Sequence, residues 1–247
     1  MNLTETNSYK VLFEDKEMIA VHKASKLATQ TKSITEKDLY TMLKQRMGKD
    51  AYLGMIHRLD QPVEGIVIFA KTKQAAGMIS AQMNGNGFEK EYLAVVYCSQ
   101  PLPMSQPGDS KPQIVKHYLL KNGKTNTSQI VKVGTPNAKE AVLSYEVMEQ
   151  TSGYALVKIN LETGRHHQIR VQLADVFDGI VGDDKYARPF RQGNGNQINS
   201  QILMSGNGIA LCACKATLKH PKTKKNMVIE TKPSNEVFQM FDLFKNQ

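Results

Sequence analysis

The stretch HRLDQPVEGIVIFA, residues 57–70, sets three polar side chains directly before an apolar run. The run Gly65–Ala70 has the composition of a strand that is buried on both faces. Asp60 would then lie at the mouth of the core, where an ionised carboxylate needs a cationic partner. Two interpretations stay open for this segment: a catalytic carboxylate, and an ordinary ion pair that holds a loop.

Strands and helices alternate irregularly along the rest of the chain, which predicts an α+β fold rather than a doubly wound sheet. Met18–Lys23 is predicted to be a strand. A capping box from Ser33 to Glu36 predicts the start of a helix, and Gly48 its end. Further helices are predicted at 72–83, 166–177 and 235–244 (the last capped by Ser234), strands at 92–97, 141–147 and 155–161, and surface loops at 99–111 and 188–208. We find no linker, so one domain is expected over residues 1–247.

Charge and composition narrow the class of protein. Hydrophobic residues make up 40% of the 247 residues, which excludes a disordered chain. Lys and Arg number 32 against 23 Asp and Glu, a net charge of +9, which favours a polyanionic partner, although a merely well-charged surface is the alternative. No apolar stretch is long enough to span a membrane, and the polar N-terminus lacks a signal peptide. A cytoplasmic protein with three reduced cysteines is therefore expected.

A second polar cluster is TGRHHQIR, residues 163–170, where a strand is predicted to turn into a helix. Free backbone amides and two guanidinium groups at such a turn suit a phosphate or a carboxylate, and a solvated helix face is the alternative. Adjacent histidines on a helix diverge by about 100°, so His166 and His167 predict no metal site. Carboxylate chemistry has several candidates, but the sequence shows no converging pair among Asp60, Glu64, Glu162, Asp183 and Asp184.

Five motifs, in order, resemble those of the RluA/RluC/RluD-type pseudouridine synthases. They are HRLD with the glycine five residues on, then KEY at 90–92, TGRHHQIR at 163–170, GDDKY at 182–186 and His220-Pro221. The resemblance covers about residues 10–232, and five motifs in order are far more specific than one. It implies a long, mixed, mostly antiparallel sheet that is flanked by helices and crossed by a central active-site cleft.

The resemblance also implies roles for particular residues. It makes Asp60 the catalytic aspartate of a uridine-to-pseudouridine isomerase that needs no cofactor and no metal. Tyr92 would stack on the target base, Arg170 would pair with Asp60, and Arg58 would enter the RNA stack in place of the flipped uridine. The other residues that the motifs imply for RNA binding are His57, Lys90, Arg165 and His167.

The implied partner is a structured tRNA or rRNA, bound by a monomer with no membrane contact and no obligate protein partner. Too few residues precede His57 and the first strand of the core to form the S4 RNA-binding domain of many relatives, so a stand-alone catalytic domain is expected. Glu64 departs from the usual Ser or Thr, and it would either alter the surroundings of Asp60 or point to solvent. Two other functions are weighed against the isomerase: a non-catalytic RNA-binding or assembly protein with the same fold, and a glycosidic hydrolase that releases uracil.

Overall fold

A computed structural model of the chain describes residues 5–6, 8–33, 35–85, 87–99, 112–151, 153–187 and 208–245. Contacts within the chain divide it into two compact units. Unit 1 comprises residues 1–91 and 212–234, and unit 2 comprises residues 92–211 and 235–247. Among the residues so described, no helix is both long and apolar enough to cross a membrane. The expectation of one domain over residues 1–247 stays a prediction.

Unit 1 is built on a mixed sheet around one strand that is buried along its whole length, Glu64–Ala70. Six of the seven residues in this strand are apolar or glycine, so the sequence directs it into the core. Its antiparallel neighbour is the strand Met18–Lys23, and its parallel neighbour is aligned by the pairing of Cys212 with Glu64. The strands of unit 1 run in the order β1 (Glu5–Thr6), β2 (Tyr9–Glu14), β3 (Met18–Lys23), β5 (Glu64–Ala70) and β11 (Leu211–Lys219), with β4 (Gly54–Met55) on β5 and β12 (Asn226–Glu230) on β11.

Two helices, α1 (Leu39–Met47) and α2 (Lys73–Asn84), complete unit 1. Helix α2 begins after Thr72, whose hydroxyl accepts a hydrogen bond from the Ala75 amide, as a side-chain cap does. Its buried face joins one apolar cluster with the inner sides of the strands. The cluster consists of Met18, Ala20, Ile66, Ile68, Ala70, Ala75, Ile79, Ala216, Leu218 and Ile229.

In its described residues, unit 2 holds a second, mostly antiparallel group of strands and one α-helix. The strand order is β6 (Phe88–Tyr97, which belongs to unit 2 from Tyr92 onward), β10 (Tyr154–Leu161), β9 (Lys139–Thr151), β7 (Gln113–Asn122) and β8 (Thr127–Val131), with α3 at Gln168–Val176 and a 3₁₀ helix at Glu236–Met240. The pairs β9–β10, β7–β9 and β7–β8 are all antiparallel. Val171 on α3 packs against Leu119 and Ala141 of the strands.

The α+β class, its mostly antiparallel strands and the flanking helices confirm the fold predicted from the sequence. All three cysteines are free and buried. The predicted loops at 99–111 and 188–208 lie almost wholly outside the described residues.

Two predicted helix starts are wrong. Helix α1 is capped by Asp38, which accepts a hydrogen bond from the Thr41 amide at 2.7 Å, whereas the Ser33 hydroxyl bonds to that of Thr35. The last helix is only a short 3₁₀ helix capped by Asn235, because the Ser234 side chain is engaged elsewhere, on Glu64. In both places a second capping residue lay within reach of the helix start, and sequence spacing alone did not rank the two.

Candidate active site

Asp60 lies on the segment 57–63, the aspartate loop, which leads directly into β5. The Val63 amide donates to the Asp60 carbonyl at 3.1 Å and closes a turn around the aspartate. Asp60 is half-buried, Leu59 before it is buried, and Arg58 is exposed. The loop therefore places a carboxylate at the rim of the unit 1 core, with a guanidinium group at the surface two residues away.

His57 joins the aspartate loop to β5. Its Nε2 accepts a hydrogen bond from the Ile68 amide at 3.2 Å, so the ring proton belongs on Nδ1, which has no hydrogen-bond partner among the described residues. The ring is 8% exposed and meets Phe88 edge-on, with the two centroids 5.7 Å apart. Burial, with the nearby Lys90 charge, lowers the pKa of His57 to about 3, so the imidazole is neutral near pH 7.

Lys90 belongs to the same part of unit 1. Its ammonium lies 5.9 Å from the centre of the Phe88 ring, and burial lowers its pKa. An ammonium held over an aromatic face in this way is attracted to the ring and partly withdrawn from water. RNA binding by Lys90, by His57 and by the exposed Arg58 stays a prediction.

Glu64, the departure from the family pattern, points into unit 1 and not to solvent. The side chain is 1% exposed at the start of β5. The Ser234 amide donates to both carboxylate oxygens at 3.1 Å, and the Ser234 hydroxyl donates to Oε2. His22 Nε2 lies 3.4 Å from the same oxygen, while its Nδ1 contacts the Thr231 hydroxyl at 2.8 Å. The buried carboxylate is thus compensated by the amide and hydroxyl donors of Ser234, in the segment after β12.

In unit 2, Arg170 on α3 is held by a carboxylate of the GDDKY motif. Its Nε and Nη2 donate to the two oxygens of Asp183 at 2.7 and 2.6 Å, a bidentate pair between side chains that are 5% and 0% exposed. The guanidinium carbon lies 5.1 Å from the centre of the Tyr186 ring. In the sequence, Asp183 was only one of several candidate carboxylates. The predicted pairing of Arg170 with Asp60 joins residues of the two units and stays a prediction.

The two histidines of TGRHHQIR precede α3 instead of lying on it. His167 adopts a left-handed backbone with φ 54°, and the two imidazole rings stack with centroids 3.8 Å apart rather than diverging. His167 Nδ1 contacts the Tyr186 hydroxyl at 2.7 Å, and His166 Nδ1 contacts the Ser128 hydroxyl at 2.9 Å. These contacts fix the loop in front of Arg170, a function that the sequence motif did not indicate.

Gln168 holds the same loop from inside, and its role was not predicted from the sequence. Its side-chain oxygen accepts from the Arg165 amide at 2.9 Å and from the Thr163 hydroxyl at 2.8 Å, and its nitrogen donates to the Val142 carbonyl. Arg165 is exposed, and its Nε donates to the Glu140 carbonyl at 2.7 Å. Gln168 thus fixes the main chain of a residue with a surface guanidinium group, which suits the predicted role of Arg165 in RNA binding.

Tyr92 is 5% exposed in β6, and its role in base stacking stays a prediction. No group of three or more His, Cys, Asp and Glu side chains in the described part of the chain is placed to hold a metal ion. The sequence-predicted residues divide between the units: His57, Arg58, Asp60 and Lys90 belong to unit 1, and Tyr92, Arg165, His167 and Arg170 to unit 2.

Comparisons with known proteins agree with the motifs. A family model described as RNA pseudouridylate synthase matches residues 17–175. The chain is 28% identical over 247 residues to the ribosomal large subunit pseudouridine synthase D of Blochmanniella floridana. The alignment covers 95% of this chain and 72% of that protein. It is 27% identical over 239 residues to the tRNA pseudouridine synthase C of Haemophilus ducreyi, and that alignment covers 95% of each protein.

Solved structures show the same fold. Human RNA pseudouridylate synthase domain containing 4 superposes with a TM-score of 0.69 at 23% identity, covering 93% of this chain and 91% of that one. Human RNA pseudouridylate synthase domain containing 1 gives the same TM-score at 18% identity, covering 99% and 89%. At these identities the likeness concerns the fold.

Proposed function

This chain belongs to the RNA pseudouridylate synthase family, and we propose that it isomerises a specific uridine in a structured tRNA or rRNA. The resemblance inferred from the five motifs is confirmed at the level of the family and of its activity, the isomerisation of uridine to pseudouridine. The RNA, the position in it and the part played by each residue are the proposal. The observation that carries it is the half-buried Asp60 on a tied loop at the start of β5.

The reaction requires one ionised group and no redox partner. The N1–C1′ bond breaks, the uracil turns, and a C5–C1′ bond forms, while C5 loses a proton and N1 gains one. Electrons and atoms balance within the nucleotide, which supports a cofactor-free and metal-free mechanism. The Asp60 carboxylate would attack the sugar, attack the base or abstract a proton, and each of these routes needs its charged form.

Access to the uridine requires that it leave the RNA helix. A uracil stacked in a stem is out of reach of a carboxylate at a protein surface, so the proposal includes flipping of the nucleotide. The exposed Arg58, two residues before Asp60, supports this, because its motif assigns it to the space that the flipped base would leave. Tyr92, assigned by its motif, would supply the aromatic face for the flipped base.

Arg170 is the cation that the motif match assigns to keep Asp60 ionised. The two hydrogen bonds that Arg170 donates to Asp183 favour that assignment, since they fix the direction of the guanidinium group before any RNA binds. The net charge of +9 and the exposed Arg58 and Arg165 would hold the RNA backbone. The names of the relatives support tRNA or rRNA as the substrate, and we propose a cytoplasmic monomer without an obligate protein partner.

Mapping of pseudouridine in total tRNA and rRNA tests the proposal. Cells with the gene intact, deleted, or deleted and complemented by wild type or by Asp60→Asn are compared. Asp50→Asn, an exposed aspartate on the same unit, is the matched control. We expect one position to lose its mark on deletion and to regain it with wild type and Asp50→Asn only. Restoration by Asp60→Asn, or no change at any tRNA or rRNA position, would contradict the proposal.

A further inference from the structure

The segment 23–29, the clamp segment, runs along the aspartate loop and is hydrogen-bonded to it at several points. The Ser25 hydroxyl donates to the Pro62 carbonyl at 2.7 Å, and the Gln61 side chain donates to the Lys26 carbonyl at 3.2 Å. Two further residues of the clamp segment, Thr29 and Lys23, bind the main chain of the residues on either side of Asp60. None of these contacts was visible in the motifs.

Thr29 holds the residue before Asp60 by both of its main-chain groups. Its hydroxyl donates to the Leu59 carbonyl at 2.8 Å and accepts from the Leu59 amide at 3.1 Å. Thr29 is 3% exposed, so water does not compete for these bonds. The Thr29 main chain is itself fixed, because its carbonyl accepts from the Tyr40 amide in the first turn of α1. Helix α1 therefore fixes the position of Leu59 through Thr29.

Lys23 holds the residue after Asp60. Its fully buried ammonium donates to three carbonyls, those of Ala24 at 3.0 Å, Leu27 at 2.7 Å and Gln61 at 3.2 Å. Burial lowers the pKa of Lys23 to about 7, while the charges of Glu64 and Asp60 act in the opposite direction. Buried Glu64 therefore supplies part of the negative charge that favours a protonated Lys23 with all three donors in use. This gives the departure at position 64 a physical function.

We infer that Thr29 and Lys23 are positioning residues for Asp60: together they fix the main chain on both sides of it and so the direction of its carboxylate. The inference rests on the proposed role of Asp60. It follows from the geometry because Leu59 and Gln61 are the immediate neighbours of Asp60, and each is bound by a buried side chain of the clamp segment. Displacement of a reacting group by about 1 Å costs on the order of 100-fold in rate.

The test uses the full chain and an RNA transcript that it modifies. Thr29→Val removes the hydroxyl at nearly constant shape, Thr29→Ser keeps it, and Thr35→Val removes an exposed hydroxyl nearby as a control. For each variant we measure the single-turnover rate constant at saturating enzyme, the Kd for the RNA and the melting temperature. Thr29→Val is expected to lower the rate constant by about 10- to 100-fold with Kd unchanged, and Thr29→Ser and Thr35→Val to stay near wild type.

Two results would overturn the inference. One is a folded Thr29→Val with a wild-type rate constant, and the other is a Thr29→Ser that is as slow as Thr29→Val, since either shows that the hydroxyl does not position Asp60. If Thr29→Val does not fold, Lys23→Gln decides the same question by the same rate-against-Kd comparison. Asp60→Asn, measured in parallel, distinguishes a failure of the proposed function from a failure of this inference. An active Asp60→Asn contradicts the proposed function. An inactive Asp60→Asn together with a fully active Thr29→Val contradicts only the positioning role of Thr29.

Discussion

The buried bidentate pair between Arg170 and Asp183 should contribute measurably to the free energy of unfolding. Asp183→Asn keeps the shape of the side chain but removes its charge and one of the two acceptors of the guanidinium group, whose bonds are 2.7 and 2.6 Å long. Both side chains are at most 5% exposed, so water does not replace the lost bond. Breaking a buried ion pair from one side costs about 3–5 kcal/mol. We expect about 3 kcal/mol here, because the amide oxygen retains one hydrogen bond.

For a chain of this length, about 3 kcal/mol corresponds to a melting temperature about 6–12 °C lower. Thermal unfolding followed by circular dichroism, with urea unfolding at 25 °C, measures both quantities. Asp184→Asn is the matched control, because the adjacent aspartate is exposed and its loss should change the free energy of unfolding by less than about 0.5 kcal/mol. An Asp183→Asn protein that melts within about 2 °C of wild type would show that the buried pair does not stabilise the fold to this extent.

Two further predictions concern unit 1. Gly65 has φ 117°, and a Cβ there would lie 2.5 Å from the Ala213 nitrogen, so Gly65→Ala should lower the free energy of unfolding by about 3 kcal/mol. Gly77 in α2 has open space around it, so Gly77→Ala should raise the free energy of unfolding by about 0.5–1 kcal/mol. Equal effects of the two substitutions in urea unfolding would disprove this. His57, with a pKa of about 3 when folded against 6.5 as the ordinary value, takes up a proton on unfolding between these pH values, so acid should weaken the fold. From pH 7 to pH 5 wild type should lose about 2 kcal/mol more than His57→Gln, and parallel losses would contradict the burial argument.

The parts of the fold that the sequence predicted are those that depend on local composition. The apolar run before Ala70 could only be a buried strand, and Met18–Lys23 forms a strand with the predicted bounds. Helix α2 lies within one residue of its predicted range because Thr72 offers an unambiguous cap. Where two caps competed, as at Ser33 and Asp38, local pattern did not decide between them.

The candidate site, too, could be predicted from the sequence only in part. The motifs located Asp60 and Arg170, whose residue types and order are specific, but not the side chains that hold their surroundings. Glu64 and its partner Ser234 are 170 residues apart, and Thr29 and Leu59 are 30 apart. Such pairs are made by the tertiary fold, and neither periodicity nor spacing along the chain indicates them.

Conversion of an RNA transcript by the purified chain decides whether this protein is the proposed isomerase. Purified wild type and Asp60→Asn are incubated with transcripts of the tRNA or rRNA that the mapping identifies, and both pseudouridine and free uracil are quantified. We expect wild type to form pseudouridine at one position, with no added cofactor and without releasing uracil. Asp60→Asn should bind the RNA with an unchanged Kd but form no pseudouridine. Pseudouridine formation by Asp60→Asn, or release of uracil by wild type, would contradict the proposed function.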